Sequence, residues 1–171
     1  MLRAIVDRKE YPETSALMMA LAPVRERGWF NREELLAMGM WKSPRPKKHY
    51  LSNEPETVIS ISGKALAAAD DCEKAAWLLQ LNGVSLPVVS AILTLLYPAQ
   101  YGVIDIRAWQ LLHLYGVFKT NGGGQGFTLR EWLQYVQTLR EYASLLDVTP
   151  RDIERSLYRY HKKIQEGNLY N

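Results

Sequence analysis

The chain has 171 residues, 47% of them apolar and 23% charged, which fits a protein that buries a core as one unit or two small lobes rather than a disordered one. Its formal net charge of +3 suits a polyanionic partner without specifying one. The single cysteine, Cys72, excludes an intrachain disulfide framework and a four-cysteine zinc or iron–sulfur site.

The first ten residues, MLRAIVDRKE, lack the continuous apolar core of a secretion signal. The longest apolar stretch, Val88–Tyr97, is too short to span a bilayer and carries Ser90 and Thr94. The expectation is a cytoplasmic protein without membrane association.

Helical periodicity dominates the chain. Residues 13–27 predict a first helix stopped by Gly28. Asn31, followed by Arg-Glu-Glu, caps a second that runs through Met40. Residues 41–50, WKSPRPKKHY, read as a basic loop broken by prolines. Asn53-Glu-Pro-Glu opens a further helix, with Ser62-Gly63 as a break before Lys64–Ala69. Asp70 and Asp71 begin one that reaches Gln80, and after the turn 81–87 the next covers Val88–Leu96 and ends at Pro98. Asp105 caps a helix to Leu114, and 121–126, NGGGQG, reads as a flexible loop. Thr128 with Glu131 forms a capping box for 129–146, and Thr149-Pro-Arg-Asp152 does the same for the last helix. No convincing alternating strand is present, so the fold class is all-α.

The most informative segment is 79–93, LQLNGVSLPVVSAIL. Apolar residues enter a tight Gly-Val-Ser turn, and a second helix with small Ser90 and Ala91 follows at once. Glycine permits the turn and a close approach by a phosphate. The amides of Gly83, Ser85 and the next helix's first turn would then face outward at the positive helix end, an anion site that grips backbone without reading sequence. Asn82, Gly83, Val84, Ser85 and Val88 are the candidate backbone contacts. A helical hairpin with nothing bound is the plain alternative.

These residues resemble the helix-hairpin-helix (HhH-GPD) superfamily of base-excision DNA glycosylases. Leu81-Asn-Gly-Val-Ser85, with Ser90-Ala91 behind, is similar to its leucine-proline-glycine-valine-glycine hairpin. Val-Ile-Asp105-Ile-Arg-Ala-Trp109 is similar to its valine-aspartate-x-histidine motif, and the tryptophan points to the 8-oxoguanine-glycosylase-like branch. The resemblance is strong over 77–115 and weaker around 140–143 and 151–160. Ser85 replaces the second hairpin glycine. Pro87 stands where bifunctional members carry a lysine nucleophile, so the resemblance implies base removal without Schiff-base lyase chemistry.

The resemblance assigns Asp105 the catalytic part: a carboxylate that stabilises positive charge on the deoxyribose and orients or deprotonates the attacking water. A helix cap is the plain reading of the same residue. A flipped base needs an aromatic pocket. Trp41, Tyr50, Trp109 and Tyr160 are the main candidates, with Tyr97 and Tyr158 also considered; each of these is more commonly a core residue. His113 reads as a packed histidine. Arg45, Lys47 and Lys48, with Lys42 and His49, are candidate phosphate contacts or simply a solvated loop. Arg107 would meet a phosphate or pair with Asp105. The family's hairpin also holds a monovalent cation on main-chain carbonyls, which by position are those of Leu79, Leu81 and Val84; this implies a structural sodium or potassium ion and no required cofactor.

The expected architecture is a helical barrel over 30–98 ending in the hairpin, with 1–29 and 99–171 forming a second lobe that carries Asp105 in a cleft. The expected function is a monofunctional DNA glycosylase in base excision repair, acting as a monomer on a damaged or modified base in double-stranded DNA. A non-catalytic helix-hairpin-helix DNA-binding protein and a helical protein-interaction domain are the competing readings.

Overall fold

The computed structural model describes residues 2–166. Among them every regular element is helical and no strand occurs, as the pattern predicts. No helix among these residues is long and apolar enough to cross a membrane. The chain divides into two units: Glu10–Tyr97, here the hairpin unit, and the N-terminal residues through Lys9 together with Pro98 onward, here the carboxylate unit. The latter begins with a short helix α1 (Leu2–Ile5) that the sequence reading missed.

The hairpin unit contains α2 (Pro12–Ala20), α3 (Ala22–Arg27), α4 (Arg32–Lys42), α5 (Lys47–Leu51), α6 (Pro55–Ala67), α7 (Asp71–Leu78) and α8 (Leu86–Leu96). Helix α8 is its centre, buried at every position except Pro87 and packed against α2, α3, α4 and α7. Its sequence is apolar all round, as a helix enclosed by others requires. Ser90 and Thr94 tolerate burial because their hydroxyls donate to the carbonyls of Pro87 at 2.8 Å and Ser90 at 2.6 Å. Each fully buried Leu or Ile in it contributes about 1.5–3 kcal/mol.

Several local expectations differ. The predicted helix 13–27 is two helices meeting at Leu21, with Gly28 left-handed at the end of the second. Ser62-Gly63 is no break: α6 runs through it, because the buried Ser62 hydroxyl bonds both the N–H and the C=O of Phe30 at 3.0 Å. The proline-broken loop contains α5. Residues 10–29 belong with the hairpin rather than with Asp105, since Leu21 and Val24 are buried where α2 and α3 pack on α8. Trp41 Nε1 also donates to the buried Thr14 hydroxyl at 3.1 Å.

The carboxylate unit adds α9 (Ile106–Leu114), α10 (Leu129–Leu146) and α11 (Pro150–Ile164), with α11 packed against α1, α9 and α10. Both predicted capping boxes, Thr128–Glu131 and Thr149–Asp152, are formed. An aromatic cluster forms the core: Trp109 stacks on Phe118 at 4.1 Å, flanked by Phe127 and Tyr135. Residues 121–126 are a fastened loop, contrary to expectation, because Trp109 Nε1 donates to Asn121 O at 2.8 Å and Gln110 Nε2 to Gly123 O at 3.1 Å.

Candidate nucleic-acid interface and the Asp105 carboxylate

In the hairpin, α7 ends at Leu78 and the chain turns through two short hydrogen bonds, Leu81 N–H to Leu78 O and Val84 N–H to Leu81 O, both 3.1 Å. Gly83 has φ +83°, a conformation that L side chains rarely adopt. Space is scarce as well, because a Cβ there would lie 3.0 Å from both His49 Cβ and Tyr50 Cδ1.

The turn residues are not equivalent. The amide of Val84 is used within the turn, and that of Asn82 donates to the Asn53 side chain at 2.8 Å. Neither is available to a phosphate, which corrects the expectation for those two positions. The amides of Gly83 and Ser85 make no hydrogen bond among the described residues. Ser85 is the exposed N-cap of α8, and its side chain caps nothing. Two N–H groups without a hydrogen-bond partner among the described residues thus stand at the positive end of an eleven-residue helix. The Val88 side chain is buried and contributes only its first-turn position. Of the carbonyls assigned to a monovalent cation, Leu81 O accepts one hydrogen bond, while those of Leu79 and Val84 accept none among the described residues. As hard neutral oxygens they are suitable donors for sodium or potassium.

The basic segment lies against this turn. Tyr50 of α5 is fully buried, with its ring between Gly39 and Gly83, where added Cβ atoms would sit 2.7 and 3.0 Å away. Its hydroxyl donates to Ser43 O at 3.2 Å, and burial pushes the phenol pKa up. Tyr50 therefore locks α4, α5 and the turn together and has no face for a flipped base, which corrects its assignment to the pocket. Arg45, Lys47 and Lys48 are exposed and make no ion pair among the described residues. By contrast, Arg27 in the same unit pairs with Glu34.

Asp105, in the other unit, is half-exposed and is the N-cap of α9, with Oδ1 accepting from Arg107 N–H at 2.8 Å. The segment leading to it is fixed from several sides. Tyr135 donates to Val103 O at 3.0 Å, Val103 N–H faces the buried Glu154 carboxylate at 3.4 Å, and a Cβ on Gly102 would lie 2.5 Å from Leu139. The Arg107 guanidinium bonds Gln165 and lies 5.9 Å from the Tyr158 ring, so it is engaged within its own unit.

Trp109 is fully buried in the aromatic core; it supports the Asp105 helix and is not a pocket wall, which corrects its assignment as well. Trp41, Tyr97, Tyr158 and Tyr160 are half-buried and retain some surface. His113 is half-buried beside Gly122, in keeping with a packed histidine.

His161 on α11 was not singled out from the sequence. It is buried, and its Nδ1 has no hydrogen-bond partner among the described residues. Burial and the nearby Arg107 push its pKa down, while the Asp105 charge partly opposes them. A neutral imidazole thus lies within the field of the candidate carboxylate. Its position two turns on from Glu154, along the buried stripe of α11, was the available signal.

No protein-family model, curated protein or solved structure matches the chain.

Proposed function

We propose that the protein is a monofunctional DNA glycosylase, with the hairpin unit binding the backbone of double-stranded DNA and the carboxylate unit supplying Asp105. The observation that carries this reading is the hairpin turn. Gly83 is left-handed, two amides without partners among the described residues precede a buried helix, and unpaired cations stand on the helix beside it. Such a surface holds phosphates without reading bases.

In the proposed reaction, water attacks C1′ of the deoxyribose as the C1′–N bond breaks, and the bond's electron pair leaves with the base. Positive charge develops on the sugar; the Asp105 carboxylate stabilises it, orients the water and accepts its proton, and the departing base takes up a proton from solvent. Pro87 occupies the position of the lyase lysine, so no Schiff base forms and the abasic strand stays intact. A sodium or potassium ion on the Leu79, Leu81 and Val84 carbonyls would stiffen the turn.

A second reading, a non-catalytic DNA-binding protein, is favoured by one observation: Asp105 already has structural work as the cap of α9. A panel of duplexes with single lesions, incubated with protein and then treated with alkali, separates the two. The glycosylase gives alkali-dependent scission that Asp105→Asn abolishes with binding retained. Binding without scission on any lesion leaves the second reading.

A further inference from the structure

We infer that α5 and the hairpin turn form one backbone-gripping surface, held in register by the Asn53 carboxamide, which makes Asn53 a positioning residue for nucleic-acid binding. The inference rests on the hairpin reading above and goes beyond it by joining two features that the sequence keeps separate.

Asn53 is 4% exposed. Its Oδ1 accepts from the Asn82 N–H at 2.8 Å, and its Nδ2 lies 3.0 Å from Asn82 O, 2.9 Å from Tyr50 O and 3.0 Å from His49 O. One side chain therefore holds both backbone groups of a turn residue and two carbonyls of α5. Only a carboxamide donates and accepts at once in this planar arrangement. Burial removes competing water from these bonds.

The consequence for the turn follows from peptide geometry. The Asn82–Gly83 peptide is trans, so the C=O of Asn82 and the N–H of Gly83 point in opposite directions across one planar unit. With Asn82 O directed at Asn53, the Gly83 N–H is directed away from it. The same contact fixes the end of α5, whose Lys47 and Lys48 are exposed and unpaired. His49 Cβ stands 3.0 Å from where a Gly83 Cβ would be, so the two features adjoin. Amides without partners and exposed cations on adjoining backbone suit neighbouring phosphates of a single strand.

The test is a double-mutant cycle on binding to an undamaged duplex across a salt series. It uses wild type, Asn53→Ala, the pair Lys47→Ala/Lys48→Ala, and all three changes together, with circular dichroism and melting recorded for each. Asn53→Ala is expected to weaken binding about tenfold and to lower the slope of log affinity against log salt by about 0.9, one phosphate contact. Losing both lysines should cost about tenfold in wild type but only about two- to threefold once Asn53 is gone, because positions that act together are not additive. A folded Asn53→Ala with unchanged affinity and slope, or losses that simply multiply, would overturn the inference while leaving the hairpin reading intact. A wild type that binds no duplex at low salt would sink both.

If Asn53→Ala does not fold, amide NMR on the wild type decides. The Gly83, Ser85 and Lys48 signals should shift together along one binding curve, and shifts confined to the turn or to α5 alone would refute the joint surface.

Discussion

Gly83→Ala probes the turn more sharply than any other single change. Two costs arise there. A side chain at φ +83° is disfavoured by roughly 1–2 kcal/mol relative to ordinary backbone. The new methyl would also meet His49 Cβ and Tyr50 Cδ1 at 3.0 Å and Tyr50 Cε1 at 3.1 Å. The Tyr50 ring cannot retreat, because Gly39 closes its other side, and overpacking of this kind adds about 1 kcal/mol or more. Gly28 is the internal control. It lies in the same unit at φ +78° with nothing within 4 Å of an added Cβ, so Gly28→Ala carries only the backbone cost. For a chain of this length 1 kcal/mol shifts the melting temperature by about 2–4 °C. Gly83→Ala should therefore melt about 4–12 °C below wild type and clearly below Gly28→Ala. Equal melting of the two variants in parallel thermal scans would refute the packing of α5 against the turn.

Three other outcomes follow from the carboxylate unit. Asp105→Asn should keep the melting temperature within about 1–2 °C, since asparagine caps as well as aspartate, whereas Asp105→Ala should cost about 1 kcal/mol; both should lose base excision, and activity in the asparagine variant would remove Asp105 from the chemistry. Trp109→Ala should cost about 3–5 kcal/mol by urea denaturation, and a surface-like loss below about 1 kcal/mol would contradict its place in the aromatic core. The folded state holds His161 below its ordinary pKa, so the unfolded chain binds the proton more readily and stability falls as pH drops. This contribution is complete above about pH 7 and is lost as pH falls through about 6.5 toward the lowered folded value; His161→Gln should flatten that part of the melting-temperature profile, and parallel profiles would contradict the assignment.

What the sequence made legible was local chemistry. The Asn31, Asp105, Thr128 and Thr149 caps and the Gly28 stop all stand where predicted, because a cap depends on residues within one turn. What escaped was set by contacts distant in sequence. Ser62 looked like a break until Phe30 supplied its partners, and α5 is held among prolines by Tyr50 and Asn53. Trp109 and Tyr50 resembled pocket walls because an aromatic residue gives no local sign of whether its face is covered. Asn53 read as a helix opening, yet two of its four side-chain hydrogen bonds reach the hairpin turn, far along the chain. The glycine turn was legible as a turn, but which of its amides remain open was not, since that depends on Asn53.

The central claim is that this protein docks on a nucleic-acid backbone, and the salt dependence of wild-type binding to an undamaged duplex tests it most directly. The expected result is measurable affinity at low salt that falls linearly on logarithmic axes, with a slope of about −0.9 for each phosphate neutralised, and a uniform loss across duplex sequences when Gly83 is replaced by a bulky residue. Absence of binding at low salt, or affinity indifferent to both salt and Gly83, would contradict it.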